Sequence, residues 1–411
     1  MIYMNYLLNE GYSDKLRVTK GNKSKIYINN KSYIDLSFCA GTLILGHNSQ
    51  IYQKSLKKLS NNKISNFAMP NIYAEKMSKI LYKYFKSYFK KFIFCNTGSE
   101  SVLKALRIAK AVSGKNLIVS ASGSWHGSLD QFLFSPSSKL EPKPNCDGIS
   151  NFYKKNLKYI PYNDVKKSKN ILEKIKTKIA AIIIEPIQAC LPTEEAKEYL
   201  FFLEKFCKKN DIILIFDEMI TGVRTYEGSV QAKYNLSPSI STFGKCVGGG
   251  APIGVIGLNK EIIEKMKKKK KKIFFGGTFS GNSMSTFIGY NTLEYIIKNK
   301  DLIKKINQKT DFIKNEINTF INSNNIGAKI YSFESMLRIV FTKKKVVNRY
   351  QRDFFEKKKL DKSSKFKKFV FQNRIYYPSN GILFISCETT MQECKYITDI
   401  FKKGLFKFFK N

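Results

Sequence analysis

From Phe92 to about Gly289 the chain alternates two hydrophobic patterns. Short apolar runs stand at KFIFCN, NLIVSA, IAAIIIEP, IILIFDE, SISTFGK and PIGVIGL. Between them lie segments with apolar residues every three or four positions, such as SESVLKALRIAKAVSG and EEAKEYLFFLEKFCKKN. The first pattern predicts strands buried on both faces, the second amphipathic helices. Their alternation predicts an α/β fold, a mostly parallel sheet with helices on both faces. Ligands of such sheets collect outside the carboxyl ends of the strands.

Outside that region the pattern changes. Residues 1 to about 38 read as a short helix followed by a hairpin, since KIYINNKSYIDLS alternates around the turn Asn29-Asn30. LILGHNSQIYQKSLKKL is a loop running into an amphipathic helix. A long helical stretch is expected from about Asn291 to Ser323, then strands at ESMLRIVFT and NGILFIS, then a closing helix at MQECKYITDIFKKGLFKFF. The expected organisation is a large domain over 39–290 and a smaller α+β domain made of 1–38 with 291–411. The run Lys265 to Lys272 is expected to be a solvated helix end or loop.

Composition narrows the partners. The net charge of +40 comes from 72 Lys plus Arg against 32 Asp plus Glu, which taken alone suggests nucleic acid. The lysines are instead dispersed over the whole chain among Ile, Asn, Phe and Tyr, as solvated faces are, so no specific nucleic-acid partner is expected. The eight cysteines show no CxxC spacing and only two histidines exist, His47 and His126, which argues against a His-rich metal site. The N-terminal MIYMNYLLNEGYSDK lacks the basic start and sustained apolar core of a signal peptide, and no apolar stretch is long enough to span a bilayer. A soluble cytoplasmic protein with free thiols is expected.

The candidate chemistry sits where strands end. LIFDEMITGVR closes an apolar strand with Asp217 and Glu218, and STFGKCVGGGAPIG leads a strand-like run to Lys245 and a glycine-rich turn. A carboxylate and an amine at the ends of neighbouring strands suit a pyridine cofactor. The acid keeps the ring nitrogen protonated, and the amine condenses with the ring aldehyde. In CNTGSESVLKALRIAK, residues Thr97, Gly98 and Ser99 stand at a strand-to-helix turn whose open amides suit a phosphate; alone, Ser99 would read as an ordinary N-cap. GSWHGSLD carries Trp125, able to stack on a flat ring, and His126, as readily a satisfied core histidine. IIIEPIQ ends in Glu185 and Gln188, the amide placed to hydrogen-bond a ring oxygen. GGTFSGN holds Thr278 and Ser280 before a helix, a second phosphate-type turn.

Taken in order, these segments resemble the class III, fold-type I, pyridoxal-phosphate-dependent aminotransferases over nearly the whole chain. PYNDVKK, GGTFSGN and YYPSNGILFIS lean toward the glutamate-1-semialdehyde 2,1-aminomutase branch. The resemblance implies a seven-stranded sheet, pyridoxal 5'-phosphate as cofactor, a small-molecule amino or carbonyl substrate, and a homodimer. It implies Lys245 as the lysine bonded to the cofactor and Asp217 as the partner of the pyridine nitrogen. Gly98 and Ser99 would hold the phosphate with Thr278 from the neighbouring subunit; Trp125 would stack on the ring, and Gln188 would reach its oxygen. Three departures bear on the substrate. The family's arginine-bearing segment ahead of the hairpin corresponds here to MIYMNYLLNEGYSDKLR. Its Gly/Ser/Thr-rich gating loop is replaced by QFLFSPSSKLEPKPNCDGIS, and Asn380 and Gly381 stand where an acidic residue is expected. These leave open an intermolecular transaminase acting on a sugar or secondary-metabolite carbonyl compound.

Overall fold

A computed structural model describes residues 16–85 and 88–410. The short helix expected at the N-terminus falls largely on residues 1–15, outside those described. The chain forms two compact units. One takes in the chain up to Gln50 with Lys305–Lys345 and Phe355–Asn411; the other comprises Ile51–Lys304 and Val346–Phe354.

The larger unit is built on a seven-stranded sheet. In chain order its strands are β1 (Lys91–Cys95), β2 (Leu117–Ala121), β3 (Leu157–Ile160), β4 (Ile179–Ile184), β5 (Ile213–Asp217), β6 (Ile240–Gly244) and β7 (Gly254–Leu258). Across the sheet they run β1-β7-β6-β5-β4-β2-β3. Only β7 is antiparallel to its neighbours. Every residue of β4, β5, β6 and β7 is buried, which is why these strands read as unbroken apolar runs rather than alternating ones. Ile183, Ile215, Ile240 and Ile256 form the core against Val102, Leu106 and Ala109 of the helix Gly98–Ser113. That helix starts under the Thr97 side chain, which accepts the Glu100 amide, and ends at Gly114 in the left-handed conformation.

β3 is the strand the apolar-run reading does not pick out. It spans four residues, lies at the sheet edge and carries Lys158. The helical stretch expected from Asn291 to Ser323 is two helices, Ser283–Lys298 and Asp301–Ser323. Asn299 breaks it: its side-chain amide takes the Tyr295 carbonyl at 2.8 Å, competing with the backbone for helix acceptors.

The smaller unit contains a four-stranded sheet, Val18–Asn22, Lys25–Ile28, Lys31–Asp35 and Ile375–Tyr376, and a three-stranded one, Lys329–Phe333, Met336–Val340 and Leu383–Phe384. The hairpin turn falls at Asn29 and Asn30, both with positive φ (48° and 59°), as a tight two-residue turn requires. The closing helix Met391–Phe409 begins with a capping box between Thr390 and Glu393. No described helix is long and apolar enough to cross a membrane.

Candidate active site

β5 and β6 lie side by side and parallel, with Asp217 opposite Thr242. Asp217 is the last residue of β5, and Lys245 follows immediately on β6. The two candidate residues therefore emerge from adjacent strand ends, on the edge where parallel sheets hold ligands.

Asp217 is buried and fully engaged. Its Oδ1 accepts from the Thr242 hydroxyl at 3.0 Å and the Met219 amide at 3.2 Å. Its Oδ2 lies 2.7 Å from Nδ1 of His126, whose ring packs edge-on against Phe132. His126 is thus not a solitary core histidine: it braces Asp217. Its Nε2 is buried without a hydrogen-bond partner, the mark of a site built for a further group. Among the described residues no cluster of His, Cys, Asp and Glu is arranged to hold a metal ion.

Lys245 has left-handed backbone (φ 45°), unusual for a side-chain-bearing residue and typical of a position fixed by its surroundings. Burial pushes its ammonium below the usual lysine range. Asp217 and Glu185 oppose the shift, and Arg224 adds to it. Arg224 is itself buried, its Nε donating to the Ile220 carbonyl at 2.6 Å, and burial lowers it too. The neighbouring Glu218 faces away into structure, accepting from the amides of Val230 and Gln231 and the hydroxyl of Thr221. Burial raises Glu218 to about 7.

The helix start beside these groups is shaped by glycines. A side-chain carbon on Gly98 would lie 2.8 Å from Met219 Cε, and one on Gly244 2.4 Å from Met219 Sδ, so one methionine packs both turns. At Gly127 (φ 89°) such a carbon would come within 2.3 Å of the Ser99 hydroxyl. The N-cap of the helix is Thr97, not Ser99. Ser99 Oγ instead accepts the Ser128 amide at 3.0 Å and shares a longer hydrogen bond of 3.4 Å with the Ser128 hydroxyl, which a stronger acceptor would displace. Open first-turn amides plus this hydroxyl make an anion cradle.

Glu185 pins the turn above. Its Oε1 accepts the Trp125 amide at 2.7 Å and its Oε2 the Ala189 amide at 3.3 Å, while burial raises its carboxyl. Trp125 itself is 59% exposed. Gln188 is fully buried, and its amide nitrogen donates to Ser122 O (2.9 Å) and Ser124 Oγ (3.1 Å). Both amide hydrogens are spent on the turn, while its carbonyl oxygen accepts only the weak Cys190 thiol donor at 3.7 Å and keeps a second lone pair for a ligand. Thr278 lies exposed in a loop tethered through Ser280, which accepts from Lys104 at 3.2 Å; Lys104 in turn pairs with Glu100. The segment that replaces the expected gating loop forms a small hairpin, Phe134–Pro136 with Pro142–Pro144.

Thr242, Met219 and Arg224 are site neighbours that pattern reading does not single out. The parallel register placing Thr242 beside Asp217 is the signal that could have found the first of them.

The sequence profile of the class-III aminotransferase family matches residues 9–362. A glutamate-1-semialdehyde 2,1-aminomutase of Archaeoglobus fulgidus is 34% identical over 330 residues, covering 78% of this chain and 77% of its own length. One from Wigglesworthia glossinidia brevipalpis is 34% identical over 387 residues, 92% of this chain and 84% of its own. Among solved structures, a glutamate-1-semialdehyde aminomutase from Pseudomonas aeruginosa PAO1 superposes with a TM-score of 0.85 over 96% of this chain and 88% of that one. At 15% identity this speaks for the fold alone.

Proposed function

The chain belongs to the class-III aminotransferases, enzymes dependent on pyridoxal 5'-phosphate, and from that premise we propose that it moves an amino group within one substrate, in the manner of glutamate-1-semialdehyde 2,1-aminomutase. The observation that carries the site assignment is the emergence of Asp217 and Lys245 from adjacent parallel strand ends, next to the Gly98–Ser99 helix start.

The residues present fit the cofactor. The Ser99 hydroxyl and the amides of Gly98 and Ser99 would take the phosphate, Trp125 would cover the ring, and Asp217 would meet the ring nitrogen. His126 holds Asp217 in place, and the second lone pair of the Gln188 carbonyl oxygen would accept from the ring hydroxyl. In a homodimer, Thr278 of a second copy would close the phosphate site. When bound, the cofactor supplies an aldehyde that bonds amines covalently and a cationic ring that withdraws electrons from the adjacent carbon. Asp217 keeps the proton on the ring nitrogen. Lys245 would bond the cofactor aldehyde and, as a free amine, would serve as the base that carries a proton from the substrate carbon. Burial lowers its basicity, the direction that favours the neutral amine this task needs.

Replacing Gly127 by alanine is expected to weaken cofactor retention. The left-handed backbone and the crowding of Ser99 together cost about 1–3 kcal/mol, or roughly 5- to 150-fold in affinity. Equilibrium dialysis against pyridoxal phosphate measures it.

The reaction itself is tested with glutamate-1-semialdehyde. Isomerisation with no added amino donor or keto acid is expected. Strict dependence on a donor and acceptor pair would instead reassign the enzyme as an intermolecular transaminase acting on a sugar or secondary-metabolite carbonyl compound.

A further inference from the structure

Val346–Phe354 belongs to the larger unit, although the chain on either side of it belongs to the smaller one. Two anchors hold it there. Nη1 of Arg352, a buried residue, donates to the Cys190 carbonyl at 2.5 Å, and the Tyr350 hydroxyl donates to the Pro136 carbonyl at 2.8 Å. Cys190 follows Gln188, and Pro136 lies on the segment following the Trp125–His126 turn, so the anchors bring this piece of chain onto the loops that carry the candidate site.

The consequence is the position of Arg349. A side-chain carbon on Gly123 would lie 2.8 Å from Arg349 Cβ, 3.3 Å from its Cδ and 3.1 Å from Oε1 of Gln188. Gly123 (φ 90°) thus admits an arginine two residues from Trp125 and against the amide that faces the ring. Nε of Arg349 donates to Asp353 Oδ2 at 3.2 Å, while Nε (2.9 Å) and Nη2 (2.5 Å) of Arg352 donate to its Oδ1. The Asp353 carboxylate is thus shared between two guanidiniums. Arg349 is 43% exposed, and neither of its terminal nitrogens has a hydrogen-bond partner among the described residues. A half-exposed fork of two free donors is the geometry that binds a carboxylate bidentately.

We infer that Arg349 is the specificity residue that takes the substrate's carboxylate, so the enzyme acts on amino or carbonyl compounds bearing a free acid group. This rests on the reading of the cofactor site given above. The test titrates the cofactor-loaded protein with glutarate, read by emission of Trp125, the only tryptophan of the chain, and by the visible absorption of the bound cofactor. Glutaramide serves as the uncharged control.

Glutarate should bind and glutaramide should not. Arg349→Gln should weaken glutarate about tenfold or more, and Arg349→Lys, which keeps the charge but loses the fork, by less. Asp353→Asn removes the internal counter-ion and should tighten binding, a change opposite to that of simple damage. Glutarate binding equally to wild type, Arg349→Gln and Asp353→Asn, or no binding to wild type, overturns the assignment of Arg349. Failure of the wild-type protein to develop visible absorption with pyridoxal phosphate overturns the cofactor reading beneath it.

Discussion

Replacing Lys245 by alanine is expected to abolish the visible absorption of the lysine-linked cofactor and to lower turnover by roughly 10²–10⁴-fold, the contribution of a positioned general base. Two features set the size of the effect. The amine stands at a left-handed position directly after β6, beside Asp217 on the neighbouring strand. Burial also holds its pKa down. The neutral amine is the working form, so turnover should rise with pH and level off at a lower pH than a solvent-exposed lysine would give. Loss of the side chain should leave folding intact, because a buried ammonium costs rather than contributes free energy. Thermal unfolding of the variant checks that the lost activity reflects lost chemistry.

Asp217→Asn carries the second largest effect and a different signature. The amide can keep its carbonyl oxygen on Thr242 and Met219 and turn its nitrogen toward His126, so the turn survives. What disappears is the negative charge that keeps a ring nitrogen protonated, an electrostatic loss of about 10²–10³ in turnover. The cofactor should still attach to Lys245, so visible absorption persists while activity falls. The pH profile supplies a sign: the Asp217 charge raises the Lys245 pKa. Its removal should therefore move the rising limb of the profile to lower pH.

The parts of this protein legible in its sequence are those fixed by local pattern. Fully buried strands announce themselves as apolar runs, and Asn29-Asn30 announces its turn because asparagine tolerates positive φ. β3 escapes because an edge strand of four residues containing a lysine resembles a loop. Asp217 and Lys245 are legible because each ends such a run, and β5 and β6 are consecutive in chain and in space. The bond between His126 and Asp217 is not, since it spans 91 residues and depends on the Glu185 carboxylate holding the turn at Trp125. Which atom of Gln188 is left to face a ligand is not legible either, since its amide hydrogens are committed to Ser122 and Ser124, a matter of orientation that no spacing encodes. Arg349 is the extreme case: it lies more than two hundred residues from Gly123 in the chain, and only the docking of Val346–Phe354 brings them together.

The most direct test of the central claim is to reduce the cofactor-loaded protein with borohydride, digest it, and locate the pyridoxyl group by mass spectrometry. In a chain this rich in lysine, the account predicts the label on the peptide carrying Lys245. Label fixed on a different lysine, with Lys245 unmodified, would contradict it.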